Sequence, residues 1–350
     1  FDPQTLEMPG EPVKVLDGVA YGQSAADFSF TEGAASIGTF VYRKGGASAE
    51  NSSTLQWFDS KGQTRTLLGK PDAYRWPSVA PGGDRVAFST TDVWAYDPRR
   101  DTTTRVSFDS GQMSVWTPDG QYLVYRKVGQ GLFGTRADGG GKAQLLVETK
   151  NQVGPIAFTA DGRTLAYQDI SREGSGYNLW TVSIEIDASG IKAGKPQAYL
   201  QTKFNERGMV FSPDGHWAAY VSDESGSNQV YVRAFPDNGS KWQISSGGGD
   251  YPRFSRGTNE LFYRAEDSSK IYAVSYTATS GSFVADKPRV WLDKQLLDTG
   301  DANVNYDVAP DGKRILALVP VNAPEDQASQ NHVVFLENFF DELKRKVPQK

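Results

Sequence analysis

One short pattern returns six times along this chain: an apolar strand, a tight turn of the Pro-Asp-Gly kind, and a second apolar strand. The turns are Pro81-Gly82-Gly83, Pro118-Asp119-Gly120, Ala160-Asp161-Gly162, Pro213-Asp214-Gly215, Arg256-Gly257-Thr258 and Pro310-Asp311-Gly312. Counting from the last turn residue, the position four before reads Val79, Trp116, Phe158, Phe211, Phe254 and Val308, and the position three after reads Val86, Leu123, Leu165, Ala218, Leu261 and Ile315. Five after, the column reads Phe88, Tyr125, Tyr167, Tyr220, Tyr263 and Ala317. Columns two apart that stay apolar describe strands with one buried face. The turn chemistry agrees, since Pro presets φ, Asp bonds its own backbone and Gly takes φ > 0 without steric cost. The fifth copy departs from this rule, with Gly257 one place early and Thr258 where Gly is expected.

Each hairpin is followed by two more strand-like runs, for example Gln229 to Ala234 and Lys241 to Ser245, so each unit has four strands. The turns end at 83, 120, 162, 215, 258 and 312, spaced by 37 to 54 residues. That is the period of a four-stranded propeller blade, and the fold class expected is an all-β propeller. A seventh, degenerate unit is read ahead of the six, through Phe28-Ser29-Phe30, Thr39 to Tyr42, Leu55 to Phe58 and Thr64 to Leu68. Near the amino end, Gly10 to Leu16 imitates Gly194 to Leu200 and Asp286 to Leu292, which read as outer fourth strands. The last unit offers only three strands, ending with His332 to Leu336. The expectation is therefore a seven-bladed propeller over 1–350, with an outer strand at 11–17 closing the last blade and repeated blades over 26–336. Six blades is the alternative, if the leading unit is not a blade. After Leu336 the period changes to 3.6, which predicts a short helix over 338–347 capped by Asn338.

Composition removes several function classes. The 37 Lys and Arg against 42 Asp and Glu leave a net charge of −5, which argues against a nucleic-acid partner held by phosphate neutralisation. No apolar run approaches the roughly 20 residues of a spanning helix, so no direct membrane span is expected. Zero cysteines exclude disulfides and thiolate sites, and two histidines leave little for metal or acid/base chemistry, so neither a cofactor nor a metal is expected.

Three segments carry a resemblance. Phe211 to Gly215, Glu224 to Pro236 and Glu260 to Arg264 resemble TolB-type propeller repeats. Together with Phe204 to Arg207 and Val333 to Lys344, they are similar to the C-terminal propeller regions of bacterial membrane-anchored serine/threonine kinases. The resemblance implies an extracytoplasmic or periplasmic sensor or interaction module, and implies that the sequence is part of something larger. Nothing of a kinase is present. Gly129 to Gly134 matches the glycine-rich phosphate-loop string, but no Val-Ala-Ile-Lys, His-Arg-Asp or Asp-Phe-Gly follows, and the glycines are read as a turn. Neither Gly-x-Ser-x-Gly nor a calcium loop occurs, and His216 is read as an exposed turn residue.

The chain is therefore read as noncatalytic, binding a peptide, glycan or protein ligand whose identity the residues do not disclose. The longer loops, 43–54, 169–178, 222–229 and 319–331, fall on one face with the segments entering the inner strands, and long loops on a rigid scaffold are where binding resides. Candidate ligand-binding residues on that face are Arg75, Trp76, Asn205, Glu206, Arg207, Asp250, Tyr251 and Arg253. A structural alternative pairs Glu206 with Arg75, Arg207 or Arg253 to seal the channel. Two further alternatives are a channel enzyme using Glu206 and Asp250 on a sugar or peptide, and a scaffold that docks proteins edge-on.

Overall fold

The tight turns are built as their residues dictate. In the second, third and fourth copies, the hydroxyl of Thr117, Thr159 or Ser212 donates to the turn aspartate and accepts the backbone N–H five residues on. The same aspartates, and Asp311, accept the N–H two residues ahead. Gly83, Gly120, Gly162, Gly215 and Gly312 all take φ near +70°. The irregular fifth copy has no left-handed residue: Ser255 Oγ accepts the Thr258 N–H instead. Gly257 is required there because an added Cβ would come 2.9 Å from the backbone oxygen of Pro310 in the next turn.

The structure, a computed structural model, describes residues 16, 28–30, 39–43, 52–170, 176–279, 281–299, 304–321, 333–337 and 345. The chain divides into two compact units, Ser53–Pro320 and the paired ends Phe1–Ser52 with Val321–Lys350. In the first unit the described residues form six antiparallel blades. The inner strands are Arg75–Val79, Gly111–Trp116, Gln152–Phe158, Glu206–Phe211, Asp250–Phe254 and Tyr306–Val308, blades one to six. Each turns through its tight hairpin into a second strand whose apolar residues sit between blades. Leu261 and Val274 of blade five, for example, join Val210, Trp217 and Val232 of blade four in one buried cluster. Burying each such side chain stabilises by about 1.5–3 kcal/mol.

The ring closes differently from the expectation. The sixth blade has the order Tyr306–Val308, Arg314–Pro320, Ser53–Asp59, Thr64–Asp72, two strands from each end of the unit. The runs at 55–58 and 64–68 are thus the outer half of the last blade, not part of a leading one, and there are six blades rather than seven. Six hairpin signatures correspond to six blades because only first and second strands carry the signature. The expected third strand of the last blade, Val333–Leu336, pairs instead with Phe40–Arg43, which pairs with Phe28–Phe30 in the three-stranded sheet of the other unit. The closing strand at 11–17, Leu16 apart, and the helix at 338–347, Arg345 apart, lie outside the described residues.

Two blades carry an addition. The third strand of blade three, Tyr177–Asp187, runs past its partner and folds back as Gly190–Ala193 before the outer strand Gln197–Leu200. Lys270–Thr279 of blade five does the same with Ser282–Ala285 before Arg289–Asp293. Each extension packs back over the preceding blade. Ile191 reaches Gly134 and Leu146 of blade two, and Phe283 lies 5.4 Å from Trp217 and 6.3 Å from Trp242 of blade four, between ring centroids.

Candidate functional site

The inner strands are not regular. Their registers against the second strands slip between Arg75 and Ser78, Gln112 and Val115, Pro155 and Ala157, Arg207 and Val210, and Asp250 and Arg253. In four of the five, two inner residues face one aromatic of the repeat column: Phe88, Tyr125, Tyr220 or Tyr263. The bulge puts one residue in the left-handed region, namely Trp76 (φ 49°), Met113 (φ 53°), Gly208 (φ 67°) and Tyr251 (φ 49°). Gly208 meets this demand without strain, whereas the other three carry a Cβ and bear roughly 1–3 kcal/mol each. All four line one axial cavity of about 420 Å³.

The cavity runs from these bulged residues to the tight-turn ends of the inner strands. Its wall is mainly apolar, with Val79, Val115, Trp116, Ile156, Phe158, Val210, Phe211 and Phe254, and its turn end is ringed by Pro118, Ala160, Pro213, Arg256 and Pro310. Polar side chains are interspersed, among them Ser78, Ser114, Thr159, Gln168 and Ser212. Arg253 Nε stands 3.3 Å from Asp307 Oδ1, and Asp307 Oδ2 accepts the Val79 N–H at 2.7 Å, so this pair ties blades five, six and one together on the wall. Arg256 makes no hydrogen bond or ion pair among the described residues and is exposed at the rim. Two buried donors of the lining, Trp76 Nε1 and Ser114 Oγ, have no hydrogen-bond partner among the described residues.

The expected site residues are distributed as follows. Trp76, Tyr251 and Arg253 reach the cavity. Arg207 and Asp250 do not line it: Arg207 Nη2 donates to Asp250 Oδ2 at 3.0 Å and Arg264 Nη2 to the same oxygen at 3.4 Å. All three are buried, and the Arg264 guanidinium lies 4.8 Å from the Tyr251 ring centre. Burial pushes the Tyr251 phenol well above its usual range, so this aromatic stays neutral. Glu206 is also buried, but its carboxylate accepts from the Thr202 hydroxyl and not from an arginine. Its carboxyl is raised above the usual range, first by burial and then by the charges of Asp223 and Glu224. Asn205 holds Asp223, with its Nδ2 donating at 2.6 Å. Arg75 is half-buried without a partner among the described residues. The two carboxylates of the enzyme alternative are therefore separately engaged, Glu206 by a hydroxyl and Asp250 by two guanidiniums.

Sequence reasoning passed over Met113, Gly208, Arg256 and Asp307. Only Arg256 left a signal, because it occupies the turn column that reads Pro81, Pro118, Ala160, Pro213 and Pro310 elsewhere. The glycine string starts in the turn at 128–130 and runs into the strand Gly131–Arg136: Gly129 and Gly131 both take positive φ, and a Cβ at Gly131 would fall 1.9 Å from the Val147 carbonyl oxygen. His216 is exposed in its turn. Among the described residues no helix is long and apolar enough to cross a membrane.

No family model matches the chain, and no curated protein sequence matches it. Solved structures do. A putative TolB from Agrobacterium tumefaciens superposes with a TM-score of 0.59 at 16% identity, over 79% of this chain and 100% of that one. A nidogen–laminin complex gives 0.50 at 11% identity, over 69% of this chain and 99% of that one. TolB from Acinetobacter baumannii gives 0.49 at 13% identity, over 77% of this chain and 63% of that one. At such identities the likeness is one of architecture, and in architecture this chain is a TolB-like β-propeller.

Proposed function

We propose that the chain is a noncatalytic binding propeller that takes an extended peptide segment with a free carboxylate into its axial channel. The observation that carries this reading is the channel's chemistry. A largely apolar and aromatic wall encloses two buried donors, Trp76 Nε1 and Ser114 Oγ, and ends at a cation, Arg256, all three without a hydrogen-bond or ion-pair partner among the described residues. Buried donors left unsatisfied cost about 1–3 kcal/mol each, which a ligand carbonyl or carboxylate oxygen would recover. Carboxylates of the wall and its surroundings are already committed, Asp307 to Arg253 and Asp250 to Arg207 and Arg264. This favours a receptor for acceptors over a site of acid/base chemistry. Strained backbone at Trp76, Met113 and Tyr251 supports the same reading, since such outliers gather where a fold holds side chains for a ligand.

Of the eight residues expected on the loop-rich face, Trp76, Tyr251 and Arg253 reach this channel, and ligand capture by Trp76 is joined there by Ser114 and Arg256, which were not expected. The segments quoted above that resemble kinase-linked propellers support a wider reading, in which the module is displayed outside the cytoplasm as the sensing part of a receptor-type serine/threonine kinase.

The test is titration of short apolar peptides bearing a free C-terminal carboxylate, or the corresponding amide, followed by tryptophan emission from Trp76 and Trp116. The acid is expected to bind, with the amide and Arg256→Ala each weaker by about tenfold. Equal binding of acid and amide, or binding indifferent to Arg256→Ala and to Trp76→Phe, would remove the channel as the site.

A further inference from the structure

The blades differ in how the outer end of each is covered. In blade four, Trp217 pairs with Ala234 and Val232 with Trp242; these four are apolar and lie under Phe283 of the next blade's hairpin. In blade two, Gly134 and Gln144 occupy the same places under the hairpin of blade three. There Gln144 grips the hairpin's backbone, its Oε1 accepting the Ile191 N–H at 2.7 Å and its Nε2 donating to the Ser189 carbonyl at 3.2 Å. In blade one, Thr104 is covered by the turn at Gly139; in blade five, Glu260 and Arg289 pair with each other; in blade six, Arg314 lies over Trp57.

Blade three is the exception. The equivalent residues are Thr164, paired with Ser183, and Thr181, paired with Gln197. All four are polar, and none has a side-chain hydrogen bond among the described residues. Blade four carries no return hairpin to cover them, since its Gln229–Ala234 and Lys241–Gln243 are joined by a short turn. What remains is a cleft of about 410 Å³ between blade three and the Phe235–Asp237 turn; its carboxylate, Asp237, is held by Arg233 at 3.4 Å, and the exposed Lys195 on its edge is without an ion pair among the described residues.

We propose that this cleft is a second binding site, distinct from the axial channel, that takes a β-hairpin or extended loop of a partner protein in the place the chain's own hairpins occupy on blades two and four. Gln197 stands where Gln144 stands, with both amide atoms free to hold one backbone N–H and one C=O of the incoming segment. The hydroxyls of Thr164, Thr181 and Ser183 select polar side chains where blade four selects an aromatic. Lys195, a free cation, selects an acidic one. The occupant is therefore a polar, acidic hairpin.

A cyclised peptide copying residues 184–193 with Ile191→Glu is the probe, labelled for fluorescence anisotropy against the full chain. Gln197→Ala and Lys195→Ala replace exposed side chains and leave the core untouched, and each is expected to weaken binding by about tenfold. A variant in which residues 184–193 are inserted after Asn238, leaving the Phe235–Asp237 wall in place, fills the cleft in cis, and is expected to melt higher and to bind no peptide. Absence of binding at millimolar peptide, binding that survives Gln197→Ala or the graft, or capture of trigalacturonic acid at Gln197 and Lys195 in place of the peptide would overturn the proposal.

Discussion

At the residue scale, buried charge is concentrated on one carboxylate. Asp250 accepts from Arg207 and Arg264 with all three groups out of water, and Nε and Nη1 of Arg264 have no hydrogen-bond partner among the described residues. Removing the single anion leaves two desolvated guanidiniums, so Asp250→Ala is expected to cost about 3–5 kcal/mol, read as a drop in the denaturation midpoint. A loss under 1 kcal/mol would mean that the arginines find water. Glu206 predicts a pH dependence of a definite sign. Its folded carboxyl is raised by burial, so the fold holds that proton more tightly than the unfolded chain does. The stability this contributes is present in acid and is lost as pH rises from the usual carboxyl range through the raised value. Glu206→Gln removes the charged form, so the variant should gain melting temperature relative to the parent near about pH 8 and lose that advantage near about pH 4. An equal difference at both would contradict the assignment. The side-chain types of Arg207, Asp250 and Glu206 drew attention in the sequence, but the pairing expected there, Glu206 with Arg75, Arg207 or Arg253, is not the one formed, because period-two columns give a side chain's face and not its neighbour on another blade.

At the scale of elements, the hairpin extensions of blades three and five do what the blade strands cannot do for their neighbours. Phe283 is buried, in ring contact with Trp217, Trp242 and Tyr276. Phe283→Ala should destabilise by about 3–5 kcal/mol, because the cleft between rigid blades cannot collapse around the gap. Thermal unfolding measures this, and a shift no larger than that of an exposed site such as Val284→Ala would show that the extension is ornamental. These elements were legible in outline: the two longest turn-to-turn intervals, 162 to 215 and 258 to 312, are the ones that contain them. Their direction was not legible, since which neighbour a hairpin covers follows from the twist of the sheet beneath it. The inner-strand bulges left no such trace, for an extra residue in a strand preserves composition and only shifts register.

At the scale of the molecule, closure decides stability. Ile315, Leu316 and Leu318 of the sixth blade are fully buried, and the strand that covers their open edge comes from the other end of the unit. Ser53–Pro320 expressed alone is expected to unfold as one cooperative transition, whereas Tyr74–Pro320, which lacks Ser53–Asp59 and Thr64–Asp72, should expose that edge and self-associate on a sizing column. A monomeric, cooperative Tyr74–Pro320 would show that ring closure is dispensable. Alternating columns and Pro-Asp-Gly turns by themselves determined the repeated four-stranded unit and its number of hairpins, because turn chemistry and side-chain period are properties of neighbours in the chain. Blade count, the ends that meet, the residues brought to the axis and the one blade left uncovered were decided only in three dimensions. They depend on contacts between residues far apart in sequence, and no local periodicity encodes those.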